Sequence, residues 1–439
     1  MRNRVWIALA LASAFGLAGC GGGGGNPTPP SLASVSSVNA ASKAPSSAPS
    51  GGFKAVVSFG DSLSDVGTYT LAAYSTYANP ASPLYNSSIP AWAPPAAYAG
   101  GGQFTVNGLA TGNWVSDLAT SLGLPITPNV IGYAGQYFNP RNPTTPSKTP
   151  IYCPFTVQAN CYGFAQGGSM ISTAAGIGNS TGALTYPLTQ QVQNYLTQFG
   201  AFNSNQLITV LAGNNDIFTA LSNVSTQVTA AVTQAATQAA QAGTPLTADQ
   251  LATLKSQATT QAAAVAQATV ADAADQLAGQ VQLMLKNNAK YVLVYTLPDS
   301  SLTPFGQSLS GGTTCDNTDI HTPCYLLSNL VQVFNQRLLN DLQGQPVKMM
   351  DGFALLNKEI ASPAQFGFTN VVAPVCDING PVLSKLGNSS LFCNTSTLVS
   401  GLDPNTSLFA DAVHPTPAGY QIIANTTLQA MQGFGWISQ

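Results

Sequence analysis

Charge is what this sequence has least of. Only 7% of its 439 residues are Asp, Glu, Lys or Arg, against about 25% in an average soluble protein. Asn, Gln, Ser, Thr and Tyr must therefore supply most of the polar surface. A net charge of −3 and no basic cluster argue against nucleic acid as a partner. Histidine is just as scarce, the two being His321 and His414. No CxxC pair occurs and only His321 lies near a cysteine, so neither a metal nor any other cofactor is expected. Glu359 is the one glutamate, and no two acids stand out as the carboxylate pair of a glycoside hydrolase. Beyond the N-terminal segment, no apolar run is long enough to span a membrane.

What the chain does have begins with an export signal. Arg2 and Arg4 precede an apolar run from Val5 to Gly19, too short for a membrane span and suited to a signal-peptide core. The run ends in Leu17-Ala18-Gly19-Cys20, which resembles a bacterial lipobox cleaved before a lipid-bearing cysteine. Gly21 rather than aspartate follows Cys20, which favours the outer membrane. The expectation is a signal peptide over 1–19, a lipid anchor on Cys20, and a monomer held at the outer membrane by that lipid alone. Residues 20–52 are rich in Gly, Pro, Ser and Ala and are expected to be a flexible tether, spanning roughly 30 Å as a random coil. The remainder, 53–439, is ample for one core and forces no second domain.

Six cysteines remain after Cys20: Cys153, Cys161, Cys315, Cys324, Cys376 and Cys393. An even number in an exported protein suggests disulfides, with fifteen connectivities open. Neighbours in sequence are expected to pair, 153 with 161, 315 with 324 and 376 with 393.

Short apolar, β-branched runs occur at Lys54–Phe59, Leu207–Ala212, Tyr291–Thr296 and Pro346–Met350. Helical patterns at Leu188–Phe199, Ala273–Lys286, Tyr325–Leu342 and Pro417–Met431 alternate with them. Continuous apolar strands alternating with helices suggest an α/β fold whose parallel sheet is covered on both faces. Residues 225–270 are almost all Ala, Gln and Thr. Gly243-Thr244-Pro245 breaks that run, and Thr247-Ala248-Asp249-Gln250 matches a capping box that restarts a helix. This reads as an inserted helical hairpin, dispensable for folding, either a lid over the site or a surface excursion. Residues 69–112 read as a long ordered loop whose tyrosines and Trp92 either line a groove or anchor the loop.

Ligands of parallel sheets sit at the carboxyl ends of the strands, and there the chain places its chemistry. The first strand runs into Phe59-Gly60-Asp61-Ser62-Leu63-Ser64-Asp65, setting the Ser62 hydroxyl at the sheet edge beside backbone N–H groups. Alone, Ser62 is equally a helix cap. The second strand ends in Gly213-Asn214-Asn215-Asp216, where the Asn215 amide can donate to an oxyanion. Phe164-Ala165-Gln166-Gly167-Gly168-Ser169 brings a backbone N–H with no Cβ in its way. Asp411-Ala412-Val413-His414-Pro415 puts an acid three residues before an imidazole. Gly178-Asn179-Ser180-Thr181-Gly182 also fits GxSxG, but Thr173–Ile177 makes a poor strand and the motif reads as a turn. Asp61, Asp65 and Asp216 are expected to bond the site's backbone rather than do chemistry.

GDSLSD, AQGGS, GNND and DAVHP, in that order and strand context, resemble the GDSL esterase/lipase family of the SGNH hydrolases. FTVNG, NWVSDLATSLGL and YTLPDSSLTP resemble it more loosely, so the likeness covers most of 53–435. Gly163 and Ser169 depart from the usual asparagine and alanine, which leaves open whether Gly167 or Gly168 serves the oxyanion; position favours Gly168. The resemblance implies a three-layer α/β/α sandwich with a flavodoxin-like parallel sheet. It implies an ester substrate, lipid or acylated carbohydrate, attacked by Ser62 with His414 as base and Asp411 orienting it. Ser62, Gly168 and Asn215 would form the oxyanion hole. A surface-binding lipoprotein on the same fold, without turnover, is the alternative from another class.

Overall fold

The computed structural model describes residues 32–70, 102–132, 151–152, 160–181, 183–311, 315 and 319–438. Cys20, Cys153, Trp92 and the whole expected signal segment lie outside them. The strands are β1 (Ala55–Gly60), β2 (Val130–Ile131), β3 (Ile151–Tyr152), β4 (Gln206–Leu211), β5 (Tyr291–Tyr295) and β6 (Lys348–Met350). β1, β4, β5 and β6 form a parallel sheet in that order, while β2 and β3 pair separately as an antiparallel ribbon. Every residue of β1, β4 and β5 is buried, as their unbroken apolar runs require.

The edge of β1 away from β4 is also paired. Ser58 N–H donates to Tyr162 O at 3.0 Å, and the N–H groups of Phe164 and Gln166 donate to Ser58 O and Gly60 O at 2.8 and 3.2 Å. Residues 162–166 thus run parallel beside β1 as a fifth extended segment, and the spatial order, counted along the chain, becomes 2-1-3-4-5. In such a sheet the switch point, where connections leave β1 in opposite directions, is the binding crevice. Gly163 permits the approach, since a Cβ there would come 2.3 Å from Val66 Cγ2.

The helices are α1 (Val35–Ala41), α2 (Trp114–Ser121), α3 (Leu188–Phe199), α4 (Asn214–Gln241), α5 (Ala248–Lys286), α6 (Pro304–Ser308), α7 (Pro323–Leu342), α8 (Gly352–Ala361) and α9 (Pro417–Gly433). α1 corrects the reading of residues 20–52 as a flexible tether throughout. Its Val38 is buried in the core, and Asn39 accepts from Met349 N–H at 2.7 Å and donates to Met349 O at 2.8 Å. The exposed backbone of edge strand β6 needs partners, and one asparagine side chain satisfies both groups of Met349.

The Ala/Gln/Thr stretch forms the outer parts of α4 and α5 rather than a separable insertion. Thr247 and Gln250 close a capping box at the start of α5. Ala262, Ala263, Ala266 and Val270 already belong to the core, and Gln267 donates to Asn329 of α7 at 2.6 Å. A deletion from Ser222 to Ala271 would therefore remove core, contrary to the dispensability expected from composition. Small side chains let α5 lie close to α7, and alanine's weak hydropathic contrast with threonine concealed the buried stripe.

Cys315–Cys324 and Cys376–Cys393 are disulfides with Cα separations of 5.8 and 6.0 Å. Cys161 is disulfide-bonded as well. The Cys376–Cys393 bond staples a loop that meets the site, since both cysteines sit in a buried cluster with Tyr69, Val106 and Ala410.

Candidate active site

β1 delivers its last residue to a fixed position. Gln191 of α3 accepts from Gly60 N–H at 2.9 Å and donates to Gly60 O at 2.8 Å. Asp61 then accepts from Leu63 N–H at 3.1 Å and from the Asn214 amide at 3.0 Å, so β1 and β4 are tied together at their carboxyl ends. Ser62–Ser64 is a single 3₁₀ turn, shorter than the helix the sequence suggests. The turn still aims the Ser62 hydroxyl outward.

The loop before α9 brings the imidazole to that hydroxyl. Nε2 of His414 lies 2.8 Å from Ser62 Oγ, and Nδ1 lies 2.9 and 2.8 Å from the two Asp411 oxygens. Asp411 is buried and also accepts from the N–H groups of Ser390, Val413 and His414 at 2.9, 3.0 and 2.8 Å. Burial alone would raise its carboxyl, but the neighbouring imidazole and these donors outweigh it and hold the group well below the usual carboxylate range. The acid is thus ionised and aimed at Nδ1, which fixes the tautomer that leaves Nε2 free to accept the serine proton. The ring of Phe104 packs against the imidazole with centroids 4.9 Å apart.

Donors for a negative oxygen surround Ser62. Gly167 N–H donates to Asp65 Oδ2 at 2.9 Å, so it is committed to the scaffold. Gly168 takes φ = +76°, and a Cβ there would come 1.9 Å from Ile177 O; only glycine holds this turn. Its N–H has no partner among the described residues, and the residue lines the same cavity as Ser62 and Asn215. Asn215 donates one amide hydrogen to Ser169 O at 2.8 Å, which orients the group and leaves the second hydrogen free. Of the two glycines the motif offered, Gly167 thus has its N–H spent on Asp65, while Gly168 keeps its own unspent at the cavity. Ser62, Gly168 and Asn215 follow β1, the 162–166 segment and β4, three adjacent carboxyl ends meeting at the switch point.

Two other hydroxyl groups compete poorly. Ser180 sits in the 3₁₀ turn Asn179–Thr181, with no preceding strand to make a nucleophile elbow. His321 Nδ1 lies 2.7 Å from Asp319 Oδ1, and its Nε2 lies 3.2 Å from Ser256 Oγ. That serine is more than two turns into α5, where backbone N–H groups are spent on the helix and none is left for an oxyanion.

Asp65 and Asp216 carry the scaffold as the sequence suggests. Asp65 accepts from Gly67, Thr68 and Gly167 N–H groups, and Asp216 from Ile171 N–H at 3.1 Å. Burial dominates both, pushing Asp65 up to about 6 and Asp216 up to about 7. Glu359, which no motif marked, lines the cavity and is pushed up to about 8 by burial. Each binds its proton more tightly folded than unfolded, so its stability contribution is complete below about pH 4 and is lost as pH rises toward 8. Asp411 has the opposite sign, but its contribution changes only below about pH 4 and does not offset the trend. Calorimetric melting at pH 5 and pH 8 should therefore show a lower Tm at pH 8. Asp216→Asn should shrink that drop; an equal drop in the variant would mean that Asp216 does not cause it.

A serine bonded to a histidine bonded to an aspartate, at the carboxyl edge of a parallel sheet and beside unpaired N–H donors, is the arrangement of serine hydrolases. Within that class the chain belongs to the GDSL-like lipase/acylhydrolase family, whose model matches residues 56–427. It is 37% identical over 164 residues to an uncharacterized protein of the trpE–trpG intergenic region of Pseudomonas putida, covering 36% of this chain and 24% of that one. It is 32% identical over 146 residues to esterase EstA of Pseudomonas aeruginosa, covering 32% of this chain and 19% of that protein. A third match, 26% over 149 residues, is to the anther-specific proline-rich protein APG of Brassica napus, covering 34% and 31%. The matched stretches thus span a third or less of the length of these relatives.

Proposed function

We propose that the protein is a carboxylic-ester hydrolase working through an acyl-serine intermediate, on a three-layer α/β/α frame. The observation that carries this is the continuous line from Ser62 through His414 to Asp411, with both contacts at 2.8 Å. In this reading Ser62 Oγ attacks the acyl carbon while its proton passes to His414 Nε2. The tetrahedral oxyanion is held by the N–H groups of Ser62 and Gly168 and by the Asn215 amide. Collapse expels the alcohol, which takes the proton from His414. Water then repeats the sequence on the acyl-serine and frees Ser62.

The cavity at Ser62, of about 480 Å³, is walled by Phe104, Phe218, Phe305, Leu356 and Phe409 among others, which suits an aliphatic chain. This favours fatty-acyl or phospholipid esters over the acetylated carbohydrates that a shallower polar groove would suit. Attachment to the outer membrane through a lipid on Cys20 belongs to the same reading and rests on the LAGC sequence. Disulfides in the folded domain fit an exported protein.

A fluorophosphonate probe tests the reading. The wild-type protein should be labelled stoichiometrically at Ser62, and Asn215→Ala, which removes one oxyanion donor, should lower kcat toward p-nitrophenyl esters roughly 10²–10³-fold. A protein that binds esters without being labelled is a binder, and the enzymatic reading falls.

A further inference from the structure

Glu359 is the one glutamate of the chain, and it stands where a carboxyl has no structural reason to be. It lies on α8, only 4% exposed, and its Oε1 is enclosed with no hydrogen-bond partner. It lines the same cavity as Ser62 and His414, with Leu356, Phe409 and Ile423 also in the wall. A buried polar group left unpaired costs about 1–3 kcal/mol, and such groups call for an explanation beyond folding. A leucine would fill this position without that cost. The carboxyl is therefore a liability to the fold at the wall of the substrate cavity, which is where stability is commonly given up for function.

We infer that Glu359 recognises a hydroxyl on the aliphatic chain of the substrate, far from the ester bond, so that this hydrolase selects hydroxylated over plain aliphatic esters. The inference rests on the ester-hydrolase reading above and names its substrate class. A carboxyl buried in apolar surroundings is held neutral, and a neutral carboxyl both donates and accepts. An alcohol, which also does both, pairs with it completely; a methyl group leaves it unsatisfied. The topology sets the distance. β1 carries Ser62 and β6 leads into α8, and their ends are three strand spacings apart, roughly 14 Å. Glu359 is the eighth residue of α8, near enough to Tyr295 at the end of β5 for the two groups to interact. The carboxyl thus faces the remote part of a chain whose ester lies at Ser62, not the carbon beside the carbonyl. A hydroxyl there could belong to the acyl group or to the alcohol, and the cavity serves either.

The experiment uses the whole protein and matched ester pairs. On the acyl side, p-nitrophenyl decanoate is compared with the ω-hydroxydecanoate and the β-hydroxydecanoate. On the alcohol side, decyl acetate is compared with the monoacetate of the ω-diol. The expected result is a kcat/KM at least roughly tenfold higher for the ω-hydroxy ester in one arm, with no gain for the β-hydroxy ester. Glu359→Leu should erase the preference and raise Tm. Glu359→Gln, which keeps a donor and an acceptor, should retain most of the preference and carries the test if the leucine variant does not fold. Equal rates in both arms, a preference that survives Glu359→Leu, or equal favour for the β-hydroxy ester would overturn the inference. Failure to hydrolyse any ester, together with failure of fluorophosphonate labelling, would instead overturn the ester-hydrolase reading itself.

Discussion

Ser62→Ala and His414→Ala are each expected to lower kcat on the order of 10⁶-fold, with Tm close to wild type. The magnitude follows from the loss of nucleophile or base in a unit where each is useless without the other. The double variant should therefore be no worse than either single one; if the two losses multiply, the residues do not act as a pair. Near-normal stability is expected because neither side chain carries the core. Ser62 is on the cavity wall, and the Asp411 carboxylate keeps three backbone donors when the imidazole is gone. His321→Ala serves as the control: it disrupts the other Asp–His–hydroxyl line and should leave ester hydrolysis unchanged. Wild-type activity in Ser62→Ala would place the nucleophile elsewhere, with Ser180 the next serine to test.

The parts of this site that could be read in the sequence are those that strands deliver. An apolar, β-branched run cut off by Gly60 or Gly213 places the next residues at a sheet edge, whatever the rest of the chain does. Ser62 and Asn215 were legible for that reason, and His414 because only one other histidine competes with it. The 162–166 segment was not legible as part of the sheet, since it contains a glycine and a glutamine and pairs with β1 on one side and only with residues 127–129 on the other. Gly167 and Gly168, which follow it, could be ranked in the sequence by motif position alone, because which N–H is spent depends on the one that the Asp65 carboxylate takes. Phe104 against the imidazole, Gln191 on Gly60 and Ser390 on Asp411 are contacts between residues 21 to 310 positions apart, and no local pattern announces them. Asn39 was hidden by composition: a Ser/Ala-rich stretch reads as tether until edge strand β6 gives its backbone and side chains something to bond.

Asp411→Asn is expected to reduce kcat by about 10⁴-fold, the scale of a triad acid replaced by its amide, and here it should cost stability as well. The two effects have separate causes. Asparagine offers one acceptor oxygen and an NH₂ group, so the imidazole no longer meets an acceptor that fixes Nδ1–H and is free to turn its other nitrogen toward Ser62. Catalysis falls because the base is presented in the wrong tautomer, not because it is absent, and some turnover should remain above that of His414→Ala. Stability falls because Asp411 also gathers the N–H groups of Ser390, Val413 and His414. An amide whose NH₂ faces those donors leaves at least one buried N–H unpaired, at about 1–3 kcal/mol. Calorimetry should thus show a lower Tm for Asp411→Asn than for His414→Ala, the reverse of their order in residual activity. If Asp411→Asn melts with wild-type Tm, the carboxylate does not organise this loop, and its low-lying acidity serves the imidazole alone.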